Sequence, residues 1–263
     1  MRRLLRAVVA AAFLASHPVA GDEVAVRHAE GVLHGFLALR DLSGRRLADG
    51  DLVQTTRGGQ VTARLTFHFH DGSLQEETTV FSQSGAFRLV KDHLVQRGPS
   101  FPKPQETSIE VAGGEVTVRS RDSEGKEKVE SKHLDLPADV GNGLMLTLIK
   151  NIDPRRAEPT TVSFVAVSSS PRLVHIVVTK DGEDTFAVGG SSRRAIRYRA
   201  HIDIGGVAGV AAKVLGKQPP DTLVWVLPSE APAFLKSEGP LYAGGPIWRI
   251  ELASPSWPEK AAK

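Results

Sequence analysis

The stretch from Val61 to Ser82 constrains the fold most. In its first half Val61, Ala63, Leu65, Phe67 and Phe69 alternate without a break with Thr62, Arg64, Thr66, His68 and His70. A period of two places the apolar set on one side of a strand and the polar set on the other. Asp71-Gly72 follows, then a second strand, and Asp-Gly between such arms predicts a hairpin closed by a type I′ turn. A two-residue turn would pair Phe69 with Leu74 and set Phe67 against Glu76. A three-residue turn would bring His68 opposite Glu76 and gather a polar site at His68, His70 and Glu76.

The same grammar repeats along the chain. Gly35 to Asp41, Phe87 to Gln96, the arms flanking Gly113-Gly114, Val129 to Leu136, Thr160 to Val167 and Leu173 to Lys180 read as strands. Ser43-Gly44 and Asp49-Gly50-Asp51 read as the two ends of a short connection, and Asp181-Gly182 as a hairpin onto Asp184 to Val188. Arg193 to Ile204 alternates as cleanly as the opening strand. Leu223 to Leu227 is a continuous apolar run around Trp225, which suits a strand buried on both faces. Ile247 to Leu252, with Trp248, is the last strand. The fold class expected is mainly β, a curved antiparallel sheet or open β-barrel of long hairpins.

Two segments break the rhythm. Asp139 is placed to cap a helix over 139–152, because Val140, Leu144, Met145, Leu148, Ile149 and Ile152 recur at three- and four-residue spacing. Gly141 and Gly143 weaken its first turn. A second, short helix is expected over 207–215. A lone apolar-striped helix in a β protein covers a sheet face or plugs an open barrel.

Met1 to Gly21 carries Arg2, Arg3 and Arg6, an apolar run from Ala7 to Ala15, then small residues to Gly21, the layout of a secretory signal peptide. Periplasmic or secreted localisation follows as an expectation, with 22–257 a single β-rich domain and 258–263 a flexible tail. No later segment is long and apolar enough for a transmembrane span. The formal charge of +3 belongs to the leader: without its three arginines, 30 Lys+Arg face 30 Asp+Glu, so charge gives no ground for a nucleic-acid partner. The chain has no Cys, so disulfides and thiol nucleophiles are excluded.

Candidate chemistry is sparse. There is no Gly-x-Ser-x-Gly, no His-Glu-x-x-His and no phosphate loop. His68 and His70 share one side of a strand and are weak metal candidates lacking a fixed third ligand. Arg193, Arg194, Arg197, Arg199 and His201 form a basic stripe, read as an outer face paired with acids such as Glu183 or Asp184, or as an anion site. Glu76 and Glu77 are adjacent and face opposite sides, which argues against a matched acid and base. The leading expectation is a non-catalytic binding module needing no cofactor, with Phe67, Phe69, Leu144, Met145, Leu148, Trp225, Trp248, Arg197 and Arg199 as ligand contacts; a hydrolase whose Ser/His/Asp or His-metal site assembles only in space stays open as a further alternative. Its partner would be a lipid or other amphipathic small molecule, or another envelope protein.

Three stretches carry a resemblance: Leu136 to Gly143, Gly216 to Leu227, and Glu238 to Leu252. With the β-rich, leader-bearing layout they resemble a family of uncharacterised exported bacterial proteins known as a domain of unknown function. That resemblance implies an open barrel, more distantly similar to LolA- and LolB-type envelope carriers, and it implies no catalytic residues.

Overall fold

The computed structural model describes residues 21–253, apart from 122–123, 168–169, 189 and 206–217. The expected leader, second helix and flexible tail therefore lie outside the described residues. Fourteen strands form one antiparallel sheet in which consecutive strands pair at every step except from the eighth to the ninth, and the first strand pairs with the last. They are β1 (Leu33–Asp41), β2 (Arg46–Arg57), β3 (Gln60–Phe69), β4 (Leu74–Ser84), β5 (Ala86–Arg97), β6 (Gln105–Glu110) and β7 (Glu115–Arg121). Then come β8 (Glu127–His133), β9 (Thr160–Val167), β10 (Pro171–Val188), β11 (Ser191–Asp203), β12 (Thr222–Leu227), β13 (Ala233–Gly239) and β14 (Trp248–Leu252). β1 joins β14, so β8 and β9 are the two free edges. The sheet curls without closing: Val61, Phe81, Phe87, Ile109 and Val116 of β3 to β7 share one core cluster with Val162 and Val165 of β9. Across the seam the Lys132 ammonium of β8 donates to the Pro171 carbonyl, 2.9 Å away.

The opening hairpin forms as its period demands, but its three-residue loop sets His68 opposite Leu74 and Thr66 opposite Glu76, so neither pairing expected for Glu76 is made. Phe67 pairs with Gln75, Leu65 with Glu77 and Ala63 with Thr79. The Gly72 N–H donates to the Phe69 carbonyl and the Phe69 N–H to the Ser73 carbonyl. Of the two central residues only Gly72 has positive φ, at 84°, so the turn is a bulged three-residue loop and the type I′ expectation is corrected. The Asp71 carboxylate accepts from the Ser73 N–H and from the Ser100 hydroxyl, and these bonds favour that loop over the tighter turn.

Three other expectations change. Asp181-Gly182 is a bulge inside the 18-residue β10, where the register against β11 shifts between Lys180 and Gly182, and it closes no hairpin. Asp49-Gly50-Asp51 lies mid-strand in β2, because the Phe67 ring occupies the space a side chain at Gly50 would need. β13, a segment that follows prolines and carries no strand pattern of its own, is paired on both sides.

The helix is α1 (Met145–Asn151), seven residues, shorter than the 139–152 expected. Asp139 does not cap it. Its Oδ2 accepts from the Ser163 N–H, the Gly141 N–H donates to the Ser163 carbonyl, and the Asn142 amide bonds both backbone groups of Val165. Asp22 does the same for Thr161. These groups cover the free edge of β9 residue by residue, which is why 139–143 is spent on edge capping and the helix begins only at Met145. α1 then lies inside the curl, Leu148 in the cluster with β3 to β9, Ile149 in the cluster with β10 to β12. Its C-terminal end is tied down by the Arg27 guanidinium on the Ile152 carbonyl and by the Arg27 and His28 N–H groups on Asn151 Oδ1. Among the described residues no helix is long and apolar enough to cross a membrane.

Candidate functional site

On the concave face, strand pairing defines a row that crosses five strands: Gly35, Leu52, Leu65, Glu77 and Leu94. All five point inward, on the same side as the fully buried Phe67 and Phe81. Yet each keeps part of its surface in contact with solvent. These partly exposed inward side chains mark the part of the concave face that the core leaves uncovered, called the hollow below. Packed clusters bound it: Leu52 and Leu65 rest on Leu37, Phe67, Phe69 and Trp248, and Ala63 rests on the cluster holding Leu144 and Leu148. At the strand ends Leu33 and Leu252 extend the same inward face and are 42% and 51% exposed, so the apolar lining reaches the surface there.

One wall of the hollow carries two carboxyl groups. Glu77 is opposite Leu94 and Asp92 opposite Thr79, so Glu77 and Asp92 are diagonal neighbours on one face of β4 and β5. Burial pushes the Glu77 carboxyl well above the usual range, and the Asp92 charge pushes it further. Burial raises Asp92 too, against the Thr79 hydroxyl that donates to its Oδ1 at 2.8 Å and against the nearby His93. Asp92 is therefore the better anion and Glu77 the better holder of the proton. Glu77 has no hydrogen bond or ion pair with any described residue. Thr107, diagonal to Asp92 on β6, is 5% exposed, and its hydroxyl lacks a partner.

A raised carboxyl pKa lowers stability as pH rises. Below about pH 4 the group is protonated whether the chain is folded or not, and no penalty exists. Above it the unfolded chain releases the proton while the fold retains it, so stability falls with pH up to the raised folded value. Glu77→Gln is expected to leave the melting temperature unchanged at pH 4 and to raise it by about 2–5 °C at pH 8, read by differential scanning calorimetry.

The residues expected as ligand contacts fall into two groups. Phe67, Phe69, Leu144, Leu148 and Trp248 are buried in the concave clusters, with Met145 half-buried beside them. Trp225, Arg197 and Arg199 are on the convex face, which their alternation with the inward Val224, Val226, Ile196 and Tyr198 dictates. There Arg197 pairs with Asp181 and Asp184, and Arg199 with Asp181 and Asp221. Trp225 Nε1 donates to Asp184, and the Lys236 ammonium lies 4.0 Å from the Trp225 ring centroid. The Trp225 N–H and Arg197 hold the Asp184 carboxyl below its ordinary value, and Arg199 and Arg197 do so for Asp181. Arg197 and Arg199 are thus neutralised within the sheet.

His68 and His70 are exposed on the convex face, His70 3.4 Å from Asp49, and no group of three potential ligands is assembled for a metal among the described residues. A second concavity of about 480 Å³ at the ends of β5 to β8 is lined by Val95, Arg97, Glu106, Arg119, Arg121 and Glu127. Its charges are partly self-compensated, Arg119 with Glu127 and Glu106 with His93.

The fold and site define a mainly β protein whose open, curled sheet surrounds a helix and a part-filled hollow. No family model matches the chain, and no curated protein does. Among solved structures it is similar to a β-barrel-like protein of a domain of unknown function from Brucella abortus, at 11% identity and a TM-score of 0.46, over 86% of this chain and 98% of that one. It is also similar to the hypothetical lipoprotein YmcC from Escherichia coli, at 9% identity and a TM-score of 0.31, over 85% of each chain. Neither likeness bears on the hollow or its contents.

Proposed function

We propose that the protein is an exported, non-catalytic binding module that takes the apolar part of a single-chain amphiphile into the concave hollow. The observation that carries this is the wet inward row Gly35, Leu52, Leu65, Glu77 and Leu94, an apolar lining that the chain's own core leaves partly unfilled. A concave site of apolar walls with few polar groups is how proteins hold such molecules. Export rests on the basic, apolar and small-residue order of Met1 to Gly21. Docking of another envelope protein by strand addition is less favoured. The edge of β9 is occupied by Asp22, Asp139, Gly141 and Asn142, and β8 carries Lys128 and Lys132, which discourage pairing.

The test is binding of N-phenyl-1-naphthylamine, whose emission rises in apolar sites. Saturable enhancement is expected for the native chain, with affinity reduced about tenfold or more in Leu65→Trp, which fills the hollow. Absence of enhancement, or equal affinity in a Leu65→Trp variant that melts like the native protein, overturns the reading.

A further inference from the structure

Resting on that reading, we propose that Glu77, Asp92 and Thr107 form the head-group end of the hollow and that it receives the ammonium of an alkylamine-type amphiphile. The placement suits a monocation. The two carboxyls are diagonal neighbours on one inward face, and Thr107 is diagonal to Asp92 on the next strand, so three oxygen-bearing side chains share one inward patch of β4, β5 and β6. Among the described residues none supplies the missing positive charge. Lys132, in the row of Asp92 on β8, is engaged by the Pro171 carbonyl, and Glu130, in the row of Glu77, adds negative charge. His93 is behind Asp92 on the convex side of β5, 3.0 Å from Glu106. Lys150 of α1 is paired with Glu30. The segment that plugs the curl, residues 139–151, brings Gly143 against Thr79 and Asp92 and Leu144 into the adjoining cluster, and neither carries charge.

Thr107 is the independent sign of an absent partner. A buried hydroxyl left without a hydrogen bond costs about 1–3 kcal/mol, and native chains rarely retain one. An ammonium has three N–H donors and no acceptor, which matches two carboxyls and one hydroxyl oxygen. An anionic head group would meet like charge here, and a neutral alcohol would satisfy one acceptor at most. When the site is empty Glu77 holds a proton, and the entering ammonium displaces it: the pair goes from one negative charge to two, the ammonium brings one positive charge, and the H⁺ leaves to the buffer.

The experiment is isothermal titration calorimetry of the full mature chain at pH 7 with octylamine and with 1-octanol, in phosphate and in Tris, whose ionisation enthalpies differ. Octylamine is expected to bind about tenfold tighter than 1-octanol, with net proton release seen as a buffer-dependent heat. Glu77→Gln should abolish the proton release, and Glu77→Gln combined with Asp92→Asn should bring the two affinities together. Binding of neither probe overturns the amphiphile reading itself. Equal binding of both to the native chain, or proton release that survives Glu77→Gln, overturns the amine assignment and leaves the hollow as an apolar site.

Discussion

Gly143→Ala is expected to destabilise the fold by about 3 kcal/mol, measured as a shift in the urea midpoint at constant slope. Two costs add at this position. Its φ is +67°, which costs a residue with a Cβ about 1–2 kcal/mol. A Cβ there would also overlap Thr79 Oγ1 and come within 2.5 Å of Asp92 Oδ1, so the plug or the sheet must shift. Gly72→Ala separates the two costs: its φ is +84°, yet nothing lies within 4 Å of its Cβ position. A loss of about 1–2 kcal/mol is expected at Gly72, from backbone strain alone. Equal losses at both positions would mean that the plug does not press on the Thr79–Asp92 wall. The comparison matters for function, because Gly143 is where the segment inside the curl meets the carboxyl pair.

The strand faces were legible wherever one periodicity ruled, as at Val61 to Phe69 and Arg193 to Asp203, because half-buried strands alternate by geometry. They were illegible where tertiary packing overrode local chemistry. Asp49-Gly50-Asp51 has the composition of a turn, but Asp49 and Asp51 face solvent partners, Arg46 and His34, while Gly50 makes room for an aromatic ring. Asp139 has the look of a helix cap, and its carboxylate instead serves a strand edge 24 residues onward in the chain. The carboxyl pair was half visible. That Glu76 and Glu77 face opposite sides follows from the period of two, and Glu77 shares its parity with Phe81. What no spacing could show is that β4 and β5 set Asp92 diagonally beside it. A register is decided by turn bonds such as those of Asp71, and those depend on a loop at Ser100, far along the chain.

Phe67→Ala is expected to cost about 4 kcal/mol, and the manner of the loss separates a scaffold residue from a ligand contact. Phe67 is fully buried and paired with Gly50, whose Cβ position overlaps its ring and lies 2.9 Å from the Thr66 carbonyl oxygen. Ring and glycine are one device: the missing side chain on β2 is the space the ring fills. Gly50→Ala alone should therefore destabilise by about 2 kcal/mol through overpacking. In the double variant the alanine at 50 occupies part of the cavity left by the ring, so the total should fall short of the sum by about 1–2 kcal/mol. The overlap with Thr66 does not relax when the ring is removed, which keeps the rescue partial. Because Phe67 has no exposed surface, naphthylamine affinity per folded molecule is expected to change less than twofold in Phe67→Ala, against about tenfold in Leu65→Trp two residues earlier on the same face. A Phe67→Ala variant that stays folded but loses the probe would place the ring in the wall of the site and move the hollow toward the Trp248 cluster.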